Sequence, residues 1–236
     1  MEAQRREAEA GRRRLYLGYG VAGLLAAAVL VGLVVVIVSS AGGGGGGSSG
    51  GAAHIDTATG STNGVAPDER QGTTPQPVSD ANLKSAAAKA GCDLRLNLPD
   101  EGSSHLESGA PAPDYGTNPP TSGDHSATPQ ADGAYSDPPP LINVVHSLEH
   151  GRVEIQYSPD LPASDQLALK GVFDESPGGV LLFPNPKVPY QVAETAWTNL
   201  LGCKHYEGSK TLDAVADFRD QFRGHGPEAL PINTSG

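Results

Sequence analysis

Residues 141–157, LINVVHSLEHGRVEIQY, decide the predicted fold, because two apolar segments meet there across a short polar connection. Residues 141–145 are apolar and partly β-branched, which favours a strand. In residues 152–157 polar and apolar side chains alternate, which predicts a second, half-buried strand. The connection ends in a glycine that can adopt a positive φ at no steric cost. The pattern therefore predicts a hairpin that holds His146 and His150 near one another.

Composition favours one folded domain with tails. The chain has 236 residues, of which 31 are glycine and 20 are proline, and such a chain is not expected to fold along its whole length. The first 14 residues hold five arginines and three glutamates, so the remainder carries 11 basic and 24 acidic side chains. Because phosphate binding needs a clustered basic face, we expect no nucleic-acid partner.

Residues 15–38 are uncharged and apolar, and they are long enough to form a transmembrane helix. We interpret them as an uncleaved signal anchor, since the run exceeds the usual apolar region of a signal peptide, which is the alternative. Residues 1–14 form a basic tail before the span. The positive-inside rule then predicts a single span in a bacterial plasma membrane, with a cytoplasmic N-terminus and the C-terminal domain outside.

Residues 39–78 contain six consecutive glycines and are rich in Ser, Thr and Pro, which predicts a flexible linker. The folded domain is expected over residues 79–230, followed by a tail of residues 231–236. Ser79 or Asp80 is a candidate N-cap for a helix that ends at Gly91. The chemistry-bearing part is then expected in residues 100–140, a long Gly- and Pro-rich segment in which Asp124 could orient the neighbouring His125.

The remaining patterns predict an α+β domain with a mainly antiparallel sheet and short helices. Strands are expected at residues 94–98, 179–183 and 190–197, and helices at residues 162–170 and 209–223. Strands and helices mix without a βαβ rhythm, which is why we favour this class over α/β. The helix over residues 209–223 is the clearest, because its apolar side chains recur at spacings of three and four.

Cys92 and Cys203 are the two cysteines of the chain, and both lie in the part expected outside the cell. An oxidising compartment predicts a disulfide between them. Metal ligation by the pair is the alternative.

Several short motifs recur in a known family. They are NPPTSGDH at residues 118–125, GAY at 133–135, VHSLEHGRVEIQY at 145–157, AETAWTNLLGC at 193–203 and GPE at 226–228. Over about residues 80–228 the sequence resembles the bacterial family catalogued as domain of unknown function 3105. The resemblance implies a membrane-anchored or secreted bacterial protein, and it implies no established activity.

Four histidines and one glutamate are the candidate metal ligands: His105, His125, His146, His150 and Glu149. Neutral imidazoles with a carboxylate suit Zn²⁺ or Cu²⁺. A structural role, in which each histidine bonds to a backbone carbonyl, is the commoner situation for histidines in proteins. Acid–base catalysis by a histidine with Glu149 or Asp124 is a third interpretation.

His146, Glu149 and His150 also fit the H-x-x-E-H pattern of zinc proteases. That mechanism requires one helix to carry all three side chains, and the predicted hairpin does not supply it. The pattern therefore favours a role other than catalysis. Our first hypothesis is a metal-binding module, the second is a structural or protein-interaction domain of the cell envelope, and the third is a small metal-dependent hydrolase. The sequence identifies no protein partner.

Overall fold

Four helices occur in the described part of the chain, residues 54–75, 82–107 and 109–232 of a computed structural model. These residues belong to one compact unit, residues 51–236. In chain order the helices are α1 (Leu83–Ala90), α2 (Leu141–Glu149), α3 (Ala163–Glu175) and α4 (Ser209–Phe222). Helix α1 starts after Asn82, which caps it, and ends at Gly91 with φ of 65°, as predicted. The candidate caps Ser79 and Asp80 lie outside the described residues.

The strands of the described residues form one seven-stranded sheet and one separate pair. They are β1 (Ile55–Asp56), β2 (Asp93–Arg95), β3 (His105–Leu106), β4 (His125–Ser126), β5 (Asp132–Ala134), β6 (Val153–Tyr157), β7 (Val180–Pro184), β8 (Val192–Ala196) and β9 (Asn199–Cys203). The sheet order is β1-β5-β7-β6-β8-β9-β2, and β3 pairs with β4 in parallel.

The sheet is mixed, which refines the predicted antiparallel sheet within the expected α+β class. Strand β7 is parallel to both β5 and β6, while the other neighbouring pairs are antiparallel. Although the sequence shows no βαβ rhythm, β6, α3 and β7 form one βαβ unit. Helix α2 connects β5 to β6, which moves the chain across the sheet in one direction, whereas α3 connects β6 back to β7 in the other direction. Since such crossovers share one handedness, α2 and α3 are expected on opposite faces.

The two faces of the sheet are covered differently. Apolar side chains of β6 and β7 pack against α1, α3 and α4 in the main core; examples are Ile155, Leu182, Phe173 and Phe218. On the other face Val144 of α2 packs with Leu181, Phe183 and Tyr135. The observed packing therefore agrees with the handedness of the two crossovers.

The predicted hairpin at residues 141–157 is wrong in its first half. Residues 141–149 form helix α2, and only residues 153–157 form a strand. The apolar residues Leu141, Val144, Val145 and Leu148 also follow a helical spacing, and the last three are fully buried. Tertiary packing of this stripe outweighs the strand preference of the β-branched residues.

The predicted flexible linker does not extend through residues 54–75. Strand β1 pairs with β5 at the sheet edge, and the Thr73 N–H donates to the Leu167 carbonyl at 2.8 Å. A Cβ on Gly171 would lie 1.7 Å from the Thr73 oxygen, so only glycine allows this close approach. The same contact explains a glycine inside α3, which continues to Glu175 beyond the predicted end.

The predicted transmembrane helix at residues 15–38 lies outside the described residues, as do residues 1–14 and 39–53. Among the residues that the structure describes, no helix combines the length and apolar character needed to cross a membrane.

The predicted disulfide is confirmed. Cys92, directly after α1, is bonded to Cys203 at the end of β9. The bond links positions 111 residues apart. It lies at the edge of the main core, because Cys203 is fully buried in that core and Cys92 packs against it. The structure therefore excludes both cysteines from any metal site.

Candidate functional site

The pair of strands β3 and β4 places His105 opposite His125. Four hydrogen bonds join the two segments: Glu101 N–H to Ser122 hydroxyl, Gly123 N–H to Gly102 carbonyl, His125 N–H to Ser104 carbonyl, and Ser104 N–H to the Asp124 carboxylate. The segment over residues 100–140, expected to carry chemistry, is therefore ordered around this pairing. Asp124 fixes the backbone of the neighbouring strand and does not orient His125 as predicted.

Helix α2 presents His146, Glu149 and His150 at its C-terminal end. Residues four apart share one face of a helix, and the Nε2 atoms of His146 and His150 lie 3.0 Å apart. The prediction that these two histidines are close is therefore correct, although a helical turn and not a hairpin produces the proximity.

Backbone carbonyls orient two of the imidazoles. The Nδ1 atom of His125 lies 2.8 Å from the Gly123 oxygen, and that of His146 lies 2.6 Å from the Ser126 oxygen. A carbonyl can only accept, so each Nδ1 carries the proton and donates it. Each ring therefore directs its Nε2 atom away from the carbonyl, toward the other histidines and Glu149.

The His125 Nε2 atom lies 3.0 Å from Oε2 of Glu149, and both side chains are almost completely buried. The contact lacks hydrogen-bond geometry, so this Nε2 has no hydrogen-bond partner. Two ligand atoms that bind the same ion at about 2.0–2.1 Å lie about 3 to 3.5 Å from each other. Their lone pairs point at the ion and not at each other. The His125–Glu149 geometry matches that arrangement.

The imidazole rings form a continuous cluster. Ring centroids of His125 and His146 are 4.7 Å apart, and those of His105 and His146 are 4.9 Å apart and stacked. The ring of His146 also contacts that of His150, with centroids at 4.3 Å. The predicted histidines are therefore neighbours in space, although they are spread over 46 sequence positions.

Their ligand atoms fall into two groups. His105, His125, His146 and Glu149 each offer one atom, and these four atoms all lie within 4.8 Å of one another. His150 falls instead into a second group, with Glu149 and Glu228, under the same limit. We call these the first and the second ligand group. Glu149 belongs to both.

Burial keeps two of the histidines uncharged. It lowers the pKa of His146 to about 4, although the bond to the Ser126 carbonyl opposes the shift. The pKa of His150 is also lowered, first by burial and then by the nearby Arg152 guanidinium. Near neutral pH both imidazoles are neutral, which is the form that binds a metal ion.

Sequence reasoning missed Glu228 as a member of the site. The GPE motif at residues 226–228 was recognised as a family feature, but Glu228 lies 78 positions beyond His150 in the sequence. It also missed the carbonyls of Gly123 and Ser126, for which residue type provides no signal.

Comparison with known families matches residues 109–233, more than half of the chain, to the family described as "Protein of unknown function (DUF3105)". The matched region contains His125, His146, Glu149, His150 and Glu228, while His105 lies just before it. No curated protein and no solved structure matches the chain. The protein belongs to the DUF3105 family.

Proposed function

We propose that this domain binds a divalent metal ion, Zn²⁺ or Cu²⁺, through the first ligand group. The observation that carries the proposal is the orientation of His125 and His146. Both donate Nδ1–H to a backbone carbonyl, which leaves Nε2 of His125 3.0 Å from the Glu149 carboxylate and Nε2 of His146 facing the histidine cluster. Metal-bound histidines usually have this outer hydrogen bond, because it fixes the tautomer and the ring direction.

Burial supports a cation at this position. Side chains of His125 and Glu149 are 0% and 3% exposed, and a buried carboxylate without a compensating partner is unfavourable. With the His125 proton on Nδ1, a neutral ring would place two acceptors 3.0 Å apart. A cation between them would convert this repulsion into attraction.

The donor types indicate which metals fit. Three imidazoles and one carboxylate suit Zn²⁺ and Cu²⁺, whereas Cu⁺ prefers thiolate and thioether ligands. The only methionine is Met1, and both cysteines are in the disulfide. Four protein ligands would complete a tetrahedral Zn²⁺ site, which favours metal binding over catalysis at the first group.

Metal analysis of the full chain, purified in mild detergent, tests the proposal. We expect about one equivalent or more of Zn²⁺ or Cu²⁺ after dialysis, and a loss of at least about tenfold in affinity for His146→Ala. The matched control is His205→Ala, which removes an exposed histidine outside both ligand groups. Binding of no metal by a folded wild-type protein would leave the histidines with a structural role.

A small metal-dependent hydrolase is the second candidate function. The objection to the H-x-x-E-H pattern was the absence of a helix, and α2 supplies that helix through Glu149. Peptide hydrolysis by the metal-loaded protein, abolished in a Glu149→Asp variant that retains its metal, would support it. Intact peptides after prolonged incubation with the metal-loaded protein would leave binding as the function.

We also propose that the domain lies outside a bacterial plasma membrane, anchored by residues 15–38. Five arginines before that stretch and the disulfide between Cys92 and Cys203 support this location. A reporter fused after Gly236 should be active only on the outer side. Activity confined to the cytoplasm would overturn the orientation.

A further inference from the structure

The C-terminal segment, residues 224–230, packs against the end of α2. Three backbone hydrogen bonds attach it: Gly224 N–H to Gly151 carbonyl at 2.7 Å, Glu228 N–H to Glu149 carbonyl at 3.1 Å, and Leu230 N–H to His150 carbonyl at 3.2 Å. The GPE motif is thereby held beside the two last candidate ligands of α2.

Close packing and a buried arginine strengthen this attachment. A Cβ on Gly226 would lie 2.3 Å from the Glu149 carbonyl oxygen, so the segment approaches α2 more closely than other residues allow. The buried Arg152 guanidinium donates to the carbonyls of His150 at 2.8 Å and Leu230 at 3.2 Å. Its charge is balanced by Asp132, at 3.0 Å. The backbone of Glu228 is therefore fixed from both sides.

The second ligand group has a buried atom without a partner. Nδ1 of His150 is buried and makes no hydrogen bond, while its Nε2 lies 3.0 Å from the His146 ring. A buried polar atom without a partner is unfavourable. Carboxylates of Glu149 and Glu228 offer ligand atoms within 4.8 Å of one another and of an imidazole nitrogen of His150.

We infer that Glu149, His150 and Glu228 form a second divalent-cation site, and that the Glu149 carboxylate bridges it to the first. The inference rests on the proposed function because the two sites share this residue. A carboxylate has two oxygens, and Oε2 of Glu149 lies beside His125. The other oxygen can serve the second ion.

The two sites differ in what they can do. The first ligand group supplies four protein ligands, whereas the second supplies three, of which Glu228 is exposed to solvent. A site with three protein ligands keeps a coordination position for water or a substrate. The second ion is therefore expected to bind more weakly and to be the one that contacts small oxygen-containing ligands. This arrangement links the metal-binding proposal to two-metal chemistry.

Two separate titrations of the metal-stripped full chain in detergent, one with Zn²⁺ and one with Co²⁺, test the inference. Equilibrium dialysis should give two Zn²⁺ per chain, and the visible Co²⁺ spectrum should change in two steps. In Glu228→Gln, the affinity for the second ion should fall at least about tenfold, while the first remains. The matched control Glu207→Gln removes an exposed carboxylate outside both groups and should retain both ions.

Three results distinguish the possibilities. Two ions in wild type and one in Glu228→Gln would support the second site. One ion in both proteins would overturn it and leave the proposed function intact. Binding of none would overturn both, provided that circular dichroism shows a folded chain. Glu149→Gln should weaken both steps, because this residue is shared; loss of only one step would contradict the bridge.

Discussion

The two faces of the central sheet show how one scaffold separates folding from chemistry. One face packs against α1, α3 and α4 through a large apolar core, next to which the disulfide lies. The other face is covered by α2, whose outer end carries buried His146 and Glu149. Apolar burial stabilises the first face, whereas buried polar groups on the second are held by specific hydrogen bonds. From this difference we expect that stability and site geometry can be altered separately.

Loss of the disulfide should give the largest effect on stability and should leave the site face unchanged. For Cys92→Ala/Cys203→Ala we expect a loss of about 4–5 kcal/mol in the free energy of unfolding, because the bond closes a loop of more than a hundred residues. Denaturant titration measures this loss. Reduced wild-type protein is the control that keeps both side chains.

The same variant tests the separation of the two faces. Without denaturant and at low temperature, where the variant remains folded, its metal affinity should equal that of wild type. The reason is that neither cysteine belongs to a ligand group. A large change in metal affinity would show that the two faces are coupled.

Replacing Glu154 should raise stability at neutral pH. This carboxyl is fully buried on the α2 side of β6, and burial raises its pKa to about 8, opposed by bonds from Thr195 and Gln156. The folded state therefore retains a proton that the unfolded state releases above about pH 4.5. Stability from this group is present below that pH and is lost as pH rises toward 8. At pH 7 the loss is about 3 kcal/mol.

We expect Glu154→Gln to recover about that amount at pH 7 and little at pH 4. Urea titrations of both proteins from pH 4 to 8 would give the difference, with the exposed Glu175→Gln as the control for removal of a charge. Glu194, buried in the adjacent strand, also has a raised pKa, so it contributes to the pH dependence of stability in both proteins. Only the difference between wild type and Glu154→Gln isolates the contribution of Glu154. An unchanged pH slope in Glu154→Gln would contradict the prediction.

The smallest effect is expected at the cap of α1. The Asn82 side chain accepts the Ser85 N–H at 3.0 Å, whereas α2 begins after Pro140 without a side-chain cap. Asn82→Ala should destabilise the fold by about 1 kcal/mol, and Asn82→Asp should retain most of the stability. Thermal unfolding measures both. Equal destabilisation by the two variants would show that the cap is not the cause.

Local signals predicted several elements well. Helix α4 was expected over residues 209–223 and ends one residue earlier, because its apolar residues have an unambiguous helical period. Strand β6 was predicted from strict alternation. Helix α2 was misassigned because its apolar stripe is compatible with both a short strand and one face of a helix, and only packing distinguishes them. Short edge strands such as β1 have no comparable pattern.

The sequence by itself determined the candidate ligand types, since histidine and glutamate side chains are chemically distinctive, and it predicted the disulfide, since the chain has only two cysteines. The tertiary structure alone decided how those ligands group. It assigned His150 to Glu228 and gave His125 and His146 their carbonyl partners at Gly123 and Ser126. The physical reason is that every residue has a backbone carbonyl, so a bond to one leaves no signature in residue type. Only the folded path of the chain determines which carbonyl reaches which imidazole.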